Sequence, residues 1–355
     1  MSTQKHKKIL IITDAWHPQV NGVVRTYEHL CEEIKTMGFE TIIISPEDFK
    51  RSFAMPGYSE IKLTLGPHKQ LKTMIEATND PFIHIATEGP LGCAARKYCI
   101  KHGRPFTTTY HTHFPDYVVK RLPRWFSYLA RPIKHLTIAL LRRFHAPAAM
   151  MSVATPSLKE TLQSWNFKTP MINMTRGVPL DLFHPGPSPQ CKDIPKPIAL
   201  YVGRVAVEKN IDAFLDMEWH GSKVIVGDGP SLQFYKDAYP HITFAGKQTG
   251  QALADHYRAA DIFVFPSKTD TFGMVIIEAL ACGLPVAAYD VTGPRDIITH
   301  DFLGNIQTRD LALAAKNALT CPGTKEQRSE HVKKHYTWKQ AAKEFLTLAQ
   351  TKTQP

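Results

Sequence analysis

The sequence predicts an α/β protein built as two doubly wound, parallel-sheet domains. Three observations lead there. Short apolar runs rich in Ile, Val and Phe alternate with helix-length amphipathic stretches, the pattern of parallel strands covered by crossover helices. Five prolines, at 185, 187, 189, 195 and 197, fall within thirteen residues near mid-chain, a stiff spacer of the kind that separates domains. A length of 355 residues exceeds what one core commonly supports, which asks for two domains of roughly 150–190 residues each.

The elements follow in order. Lys8 to Thr13 is the first strand, and Val24 to Met37 is an amphipathic helix stopped by Gly38, the usual C-terminal signal. Thr41 to Ser45, Phe82 to Ala86 and Phe106 to Thr109 read as strands, with a helix over Gly92 to His102. Met151 to Ala154 is another strand, leading into Ser157-x-x-Glu160, a capping-box spacing. Beyond the prolines the second half restarts with Ile198 to Val202 and a glycine turn. It continues with Val224 to Gly227, Ile242 to Phe244, Ile262 to Pro266 and Pro285 to Ala288, and ends in a helix over Trp338 to Gln350.

The richest stretch is Ser267 to Val286. It follows the buried strand at Ile262 and runs into a helix-like pattern, Val275 to Ala281, ended by Gly283. Its loop therefore lies at the carboxyl end of a strand and the amino end of a helix, where parallel α/β sheets bind ligands. Helix-start amides there suit phosphate oxygens. Asp270 and Glu278 stand eight residues apart, one in the loop and one about a turn into the helix, so both can reach one bound polyol. Arg204 and Lys209 are five apart on a glycine-turn-to-helix segment. Taken alone, two such cations are most often solvated surface charges.

The Asp270 stretch resembles the Glu-x7-Glu motif of retaining GT-B glycosyltransferases, the family that includes sucrose, glycogen and mannosyl transferases. The similarity runs along nearly the whole chain in family order. It takes in Asp14 to Val23, Glu88-Gly89-Pro90-Leu91-Gly92, Tyr110 to Pro115, Arg176 to Pro185, Val202 to Asn210, and Val226-Gly227-Asp228-Gly229-Pro230. It is nearest to the bacterial branch that makes α-mannosyl and other glycosyl lipids from nucleotide sugars. The resemblance implies a GT-B fold, two Rossmann-like domains facing a deep cleft. An acceptor-binding domain would span 1–185, a linker 186–197 and a nucleotide-sugar-binding domain 198–335, with a helix in 336–355 returning to the first domain.

The resemblance also assigns roles. Arg204 and Lys209 hold the leaving diphosphate and neutralise its charge, so no metal and no cofactor is expected. Glu278 accepts the donor ribose hydroxyls, and Asp270 the hexose hydroxyls. Asp270 departs from the usual Glu and is one methylene shorter, which leaves the hexose open. Backbone amides of Phe272, Gly273 and Met274 sit on the distal phosphate. Gly22 leaves room beneath the reaction centre. His111 positions the transferred sugar and stabilises an oxocarbenium-like transition state. Glu88, Gly89 and His113 border the acceptor. Retention would proceed by front-face substitution, the leaving phosphate taking the acceptor proton.

Charge is uneven along the chain. The net charge is +11, and Tyr117 to Lys159 contains no Asp or Glu but eight cations: Lys120, Arg121, Arg124, Arg131, Lys134, Arg142, Arg143 and Lys159. Leu122, Trp125, Phe126, Tyr128, Leu129, Ile133, Leu136, Ile138, Leu140, Leu141 and Phe144 are interleaved with them. Basic residues beside Trp and Phe describe an interfacial helix drawn to anionic lipid. A core element with a solvated basic edge and a nucleic-acid surface are the competing readings, and no nucleic-acid fold signature supports the last. No run of eighteen apolar residues reads as a transmembrane helix. Six scattered cysteines without a Cys-x-x-Cys pair fit reduced thiols in the cytoplasm. The expectation is a cytoplasmic enzyme, peripheral at the inner face of the cell membrane. Its donor would be GDP-mannose or a UDP-hexose and its acceptor a lipid or glycolipid. A GT-B-type epimerase or hydrolase, a transferase to a soluble sugar and a non-enzymatic membrane-binding module are the alternatives.

Overall fold

The structure, a computed structural model, describes residues 8–19, 21–55, 58–111, 113, 115, 118–119 and 128–350. It divides into two compact units, one running to Arg176 and taking up the helix from Trp338, the other comprising Gly177–Thr337.

The first unit is built on a six-stranded parallel sheet. In chain order it contains β1 (Lys8–Ile12), α1 (Gly22–Thr36), β2 (Glu40–Ile44), β3 (Ser52–Met55), β4 (Tyr58–Thr64), α2 (His68–Ala77), β5 (Phe82–Ile85), α3 (Pro90–Lys101), β6 (Phe106–Tyr110), α4 (Ala130–His145), β7 (Met150–Val153), α5 (Pro156–Ser164) and β8 (Met171–Asn173). The sheet order is β2-β1-β5-β6-β7-β8, and β3 and β4 form a separate antiparallel ribbon. Strands β1, β5 and β6 are wholly or almost wholly buried, which is why they read as continuous apolar or Thr-rich runs rather than alternating ones. Helix α1 starts at Gly22, ahead of the expected Val24. The Asn21 side chain accepts hydrogen bonds from Val23 and Val24 N–H, satisfying two of the orphan amides.

One expectation fails here. Ser157 and Glu160 do not form the cap of α5. Thr155 is the N-cap, accepting from Leu158 N–H, and Pro156 takes the first helical position, where its missing N–H costs nothing.

The second unit repeats the plan. It contains β9 (Ile198–Val202), α6 (Asp212–Leu215), β10 (Ser222–Val226), α7 (Leu232–Ala238), β11 (Thr243–Gly246), α8 (Gly250–Ala259), β12 (Ile262–Phe265), α9 (Met274–Ala281), β13 (Val286–Tyr289), α10 (Pro294–Ile297), β14 (Gly304–Gln307), α11 (Leu311–Leu319) and α12 (Lys325–His335); α13 (Trp338–Gln350) is the last described element. The parallel sheet has the order β11-β10-β9-β12-β13-β14. The core against one of its faces gathers Tyr201, Val205, Phe214, Ile225, Val264, Ala287 and Ala315.

Residues 177–185, assigned from sequence to the first domain, belong to the second unit. Arg258 of α8 holds them, donating to the Leu182 carbonyl at 2.7 Å and the His184 carbonyl at 2.9 Å. Helix α13 packs within the first unit, with Trp338 stacked on His29 of α1 and Glu344 accepting from Thr175 N–H at 2.7 Å.

In each sheet the strand order reverses beside the unit's first strand, between β1 and β5 and between β9 and β12. The chain leaves these neighbours in opposite directions and opens a crevice at their carboxyl ends. The motifs singled out in the sequence fall there: Asp14 and Glu88 in one unit, Gly203-Arg204 and Ser267 to Asp270 in the other.

Candidate active site

In the second unit two loops are stitched together. The first follows β9 and carries Gly203, Arg204 and Lys209; the second follows β12 and carries Asp270. Lys209 Nζ lies 2.5 Å from Asp270 Oδ1. Asn210 donates to the Pro266 carbonyl at 2.9 Å, and Thr269 Oγ1 to the Glu208 carbonyl at 3.4 Å. Thus the cation expected on the diphosphate and the carboxylate expected on the hexose meet in one ion pair. A neutral hydrogen bond contributes about 1 kcal/mol net and a partly exposed ion pair ~1 kcal/mol or less. The stitching is therefore weak enough for either charge to change partner.

The glycine turn under Arg204 has a physical cause. Tyr201, fully buried, donates from its hydroxyl to the Arg204 carbonyl at 2.9 Å. Burial, followed by the charges of Asp270 and Glu208, pushes that phenol well above its ordinary value, so it stays protonated and donating. A methyl group on Gly227 would strike the Gly203 carbonyl, so the two glycine turns pass backbone against backbone.

Gly273 is the N-cap of α9 at φ +94°, a left-handed conformation that favours glycine. Phe272 is buried and meets the Tyr336 ring edge-on at 6.0 Å. Its side chain thus faces the core, and Gly273 and Met274 head a helix whose first amides have no intrahelical acceptor. Glu278 sits within α9 and is only 3% exposed. Tyr257 of α8 donates to its Oε2 at 2.8 Å, fixing one oxygen.

The first unit surrounds His111 with buried polar groups. His111 follows β6, and its Nε2 lies 3.1 Å from the Tyr27 hydroxyl. Its Nδ1 lies 3.5 Å from Arg176 Nη2. The Tyr27 hydroxyl also meets His84 Nε2 at 2.9 Å and Thr109 Oγ1 at 3.2 Å. Burial, then the neighbouring Arg176 charge, then His84, holds the His111 imidazole well below its ordinary value. Burial likewise takes His84 down to about 3 and Arg176 to about 10. Both rings are neutral at pH 7, so His111 brings no positive charge of its own to a cationic transition state.

The residues expected on the acceptor side have internal partners. Glu88 Oε1 lies 3.2 Å from His145 Nε2, the last residue of α4, whose Nδ1 meets Thr108 Oγ1 at 2.9 Å. Gly89 is needed because a side chain there would collide with the Asp14 carboxylate. Asp14 accepts from Leu91 N–H at 2.8 Å and Gly92 N–H at 3.2 Å, capping α3 from another loop. Burial raises its carboxyl despite those bonds. His113 lies edge-on to Trp165 at 5.0 Å, so the His111-x-His113 spacing reflects two separate packing roles. Gly22 is exposed as the first residue of α1.

Sequence reasoning missed Tyr27, His84, Arg176, Tyr201 and Tyr257. Arg176 stood inside a quoted motif, but its burial had no local signal. Tyr27 and Tyr257 read as ordinary core positions of amphipathic helices.

Of the acid-free stretch, Tyr117, Lys120, Arg121, Leu122, Arg124, Trp125 and Phe126 lie outside the described residues. Its helix α4 divides cleanly. Leu141 and Phe144 enter the core, while Leu136 and Leu140 remain 61% and 59% exposed. Arg131, His135, Arg142 and Arg143 are exposed around them. Arg96 of α3 ties down the end of α4, donating to the Phe144 and Arg143 carbonyls at 2.8 Å each. Among the described residues no helix is long and apolar enough to cross a membrane.

Comparison with known proteins gives consistent results. The model for Glycosyltransferase Family 4 matches residues 20–182, and that for Glycosyl transferases group 1 matches residues 196–321. A sulfoquinovosyl transferase from Arabidopsis thaliana is 26% identical over 84% of this chain, and the match spans 63% of that longer protein. A GDP-mannose-dependent alpha-mannosyltransferase from Mycobacterium tuberculosis is 28% identical, covering 82% of this chain and 81% of the relative. An alpha-monoglucosyldiacylglycerol synthase from Streptococcus pneumoniae is 25% identical over 88% and 78% respectively. Among solved structures, a sucrose-phosphate synthase from Thermosynechococcus elongatus superimposes with a TM-score of 0.73 at 21% identity, covering 96% of this chain and 98% of that one.

Proposed function

This chain belongs to the GT-B-fold glycosyltransferases, each half matching a family model, and we propose that it moves a hexose from a nucleotide sugar to a hydroxyl of a lipid or glycolipid acceptor, with retention of anomeric configuration and without a metal. The observation that carries the reading is the loop pair of the second unit, where Lys209 and Asp270 pair at the switch point of a parallel sheet, with Arg204 on the first loop and Glu278 in the helix after the second.

In this proposal the donor diphosphate takes Lys209 from Asp270 and adds Arg204 and the amides of Phe272, Gly273 and Met274. The two cations neutralise the charge that grows on the leaving diphosphate. Released from Lys209, Asp270 turns to the hexose hydroxyls. Glu278, with one oxygen held by Tyr257, offers the other to the ribose. His111 borders the transferred sugar as a neutral ring, and Gly22 leaves room for the donor. Departing phosphate oxygen takes the acceptor proton, so no separate base is required. Glu88, Gly89 and His113 remain the proposed acceptor side, braced by His145, Asp14 and Trp165.

The lipid acceptor is supported by two things. Relatives are named for glycosyl lipids, one as a glucosyldiacylglycerol synthase. Helix α4 also presents Leu136 and Leu140 among exposed basic residues, the make-up of a helix lying in an anionic interface. The proposed location is the cytoplasmic face of the cell membrane.

The test uses labelled GDP-mannose, UDP-glucose, UDP-galactose and UDP-glucuronate in turn, with and without vesicles containing diacylglycerol or phosphatidylinositol. Label entering the lipid phase from one donor is the expected result. Label released as free sugar at equal rates with and without vesicles would make the protein a hydrolase.

A further inference from the structure

The network around His111 carries an inference that rests on the proposed role of that residue beside the transferred sugar. A guanidinium can only donate hydrogen bonds. Arg176 Nη2 faces His111 Nδ1 at 3.5 Å, so Nδ1 must keep its lone pair and the ring proton must sit on Nε2. Nε2 in turn lies 3.1 Å from the Tyr27 hydroxyl, which accepts that proton's hydrogen bond. The phenol then spends its own proton on Thr109 or His84, both within 3.2 Å.

We infer that Tyr27 and Arg176 are positioning residues that lock His111 as a single neutral tautomer, protonated on Nε2, with both nitrogens engaged by the protein. It follows that His111 acts on the sugar by shape and dipole and does not shuttle a proton.

Both positioning groups are themselves fixed. Arg176 Nη1 donates to the Met174 carbonyl at 2.6 Å and the Thr175 carbonyl at 3.0 Å. Thr175 N–H is held by Glu344 of α13, whose carboxylate also supports the Arg176 charge. Phe345 of the same helix meets Tyr27 and His84 edge-on, at 6.5 and 4.8 Å. His84 Nδ1 lies 2.8 Å from Thr107 Oγ1. Among the described residues, titratable groups facing His111 include Tyr27 from α1, His84 from β5 and Arg176 after β8, with Glu344 of α13 behind Arg176.

The test is nitrogen-15 NMR of the full chain with labelled histidine rings, His111 being assigned by the signal lost in His111→Asn. Nδ1 should appear unprotonated and Nε2 protonated, unmoved between about pH 5 and 8, the range in which an ordinary imidazole titrates. In Tyr27→Phe, which keeps the ring packing, the His111 signals should shift toward a tautomer mixture. Its kcat should fall about tenfold with donor KM near normal, as for one lost hydrogen bond at a positioned group. Arg176→Met should move the signals further, and its melting curve reports whether it remains folded. A His111 ring that titrates near its ordinary value in the parent chain, or Tyr27→Phe signals identical to the parent's, overturns the lock whatever the activity. A locked ring in the parent together with normal turnover in His111→Asn would leave the tautomer inference standing and remove the catalytic assignment.

Discussion

His111 in the first unit and the Lys209–Asp270 pair in the second are held by opposite means. Around His111 the partners are buried, mostly uncharged and mutually saturated: Tyr27, His84, Thr109 and Ser152 form one chain of hydrogen bonds beneath the ring. Moving any member exposes an unsatisfied buried polar group, at roughly 1–3 kcal/mol each. Around Asp270 the partners are charged and about a quarter exposed, with side-chain exposures of 26% for Lys209 and 24% for Asp270. Such a pair costs little to open in water. The first arrangement suits groups that must stay where they are. The second suits groups that must release one partner and accept another, which a charged ligand entering and leaving requires.

The sharpest way to break this contrast is to remove the cations of the second unit. Arg204→Ala or Lys209→Ala should lower turnover by about a hundredfold or more, as for a lost charge-assisted contact to a charge that grows in the transition state. The melting temperature should change little, because neither residue is part of the core. Near-normal kcat in either variant would remove it from the diphosphate.

Next in size is the surface of α4. Each cation near an anionic membrane is worth roughly 1 kcal/mol. Arg142→Glu with Arg143→Glu should therefore weaken sedimentation with anionic vesicles by at least about tenfold, and Leu136→Asp should add to the loss. Raising salt should release the parent protein, since the attraction fades within about a Debye length. Undiminished binding by the charge-reversed variant would make α4 a structural helix with a solvated edge.

A smaller effect separates the two carboxylates of the second unit. Glu278→Gln should weaken both the nucleotide sugar and the free nucleotide, by about tenfold for one charged hydrogen bond. Asp270→Asn should weaken the intact donor and leave the free nucleotide nearly unchanged. Calorimetry with both ligands decides, and equal losses from Asp270→Asn would move it off the hexose.

The smallest effect concerns acid stability. His84 is held neutral by burial, its value lowered from 6.5 to about 3. The unfolded chain takes up that proton first, so stability is complete above about pH 6.5 and is lost as pH falls toward about 3. His111 contributes in the same direction. His84→Asn should flatten the fall of melting temperature on acidification, even if it lowers the neutral value. A melting curve as steep in acid as the parent's would place the sensitivity elsewhere.

The fold was largely legible in the sequence because its strands are buried on both faces and bounded by Gly and Pro. Ile198–Val202 and Trp338–Gln350 occupy the expected spans. The candidate donor loops were legible for a related reason: glycine turns and helix starts are local features, and Asp270, Glu278, Arg204 and Lys209 sit beside them. The supporting groups were not. Tyr27 reaches His84, Thr109 and His111 across fifty-seven or more residues of sequence, and no local pattern encodes such pairing. The β3–β4 ribbon was also missed, since Ser52 to Thr64 lacks a strong apolar alternation. At α5, a plausible Ser-x-x-Glu spacing competed with Thr155-Pro156, and the proline, with φ already set for a first helical turn, decided the start.

Front-face transfer of a hexose to a lipid hydroxyl, with cations in place of a metal, stands or falls on the configuration of the product and on its metal requirement. The most direct measurement is proton NMR of the lipid product formed by the full chain from the donor that labels it, in excess EDTA. The expected product is a glycolipid whose anomeric coupling matches the configuration of the donor, formed at an undiminished rate. A product of inverted configuration, or activity abolished by EDTA and restored by Mn²⁺ or Mg²⁺, would contradict it.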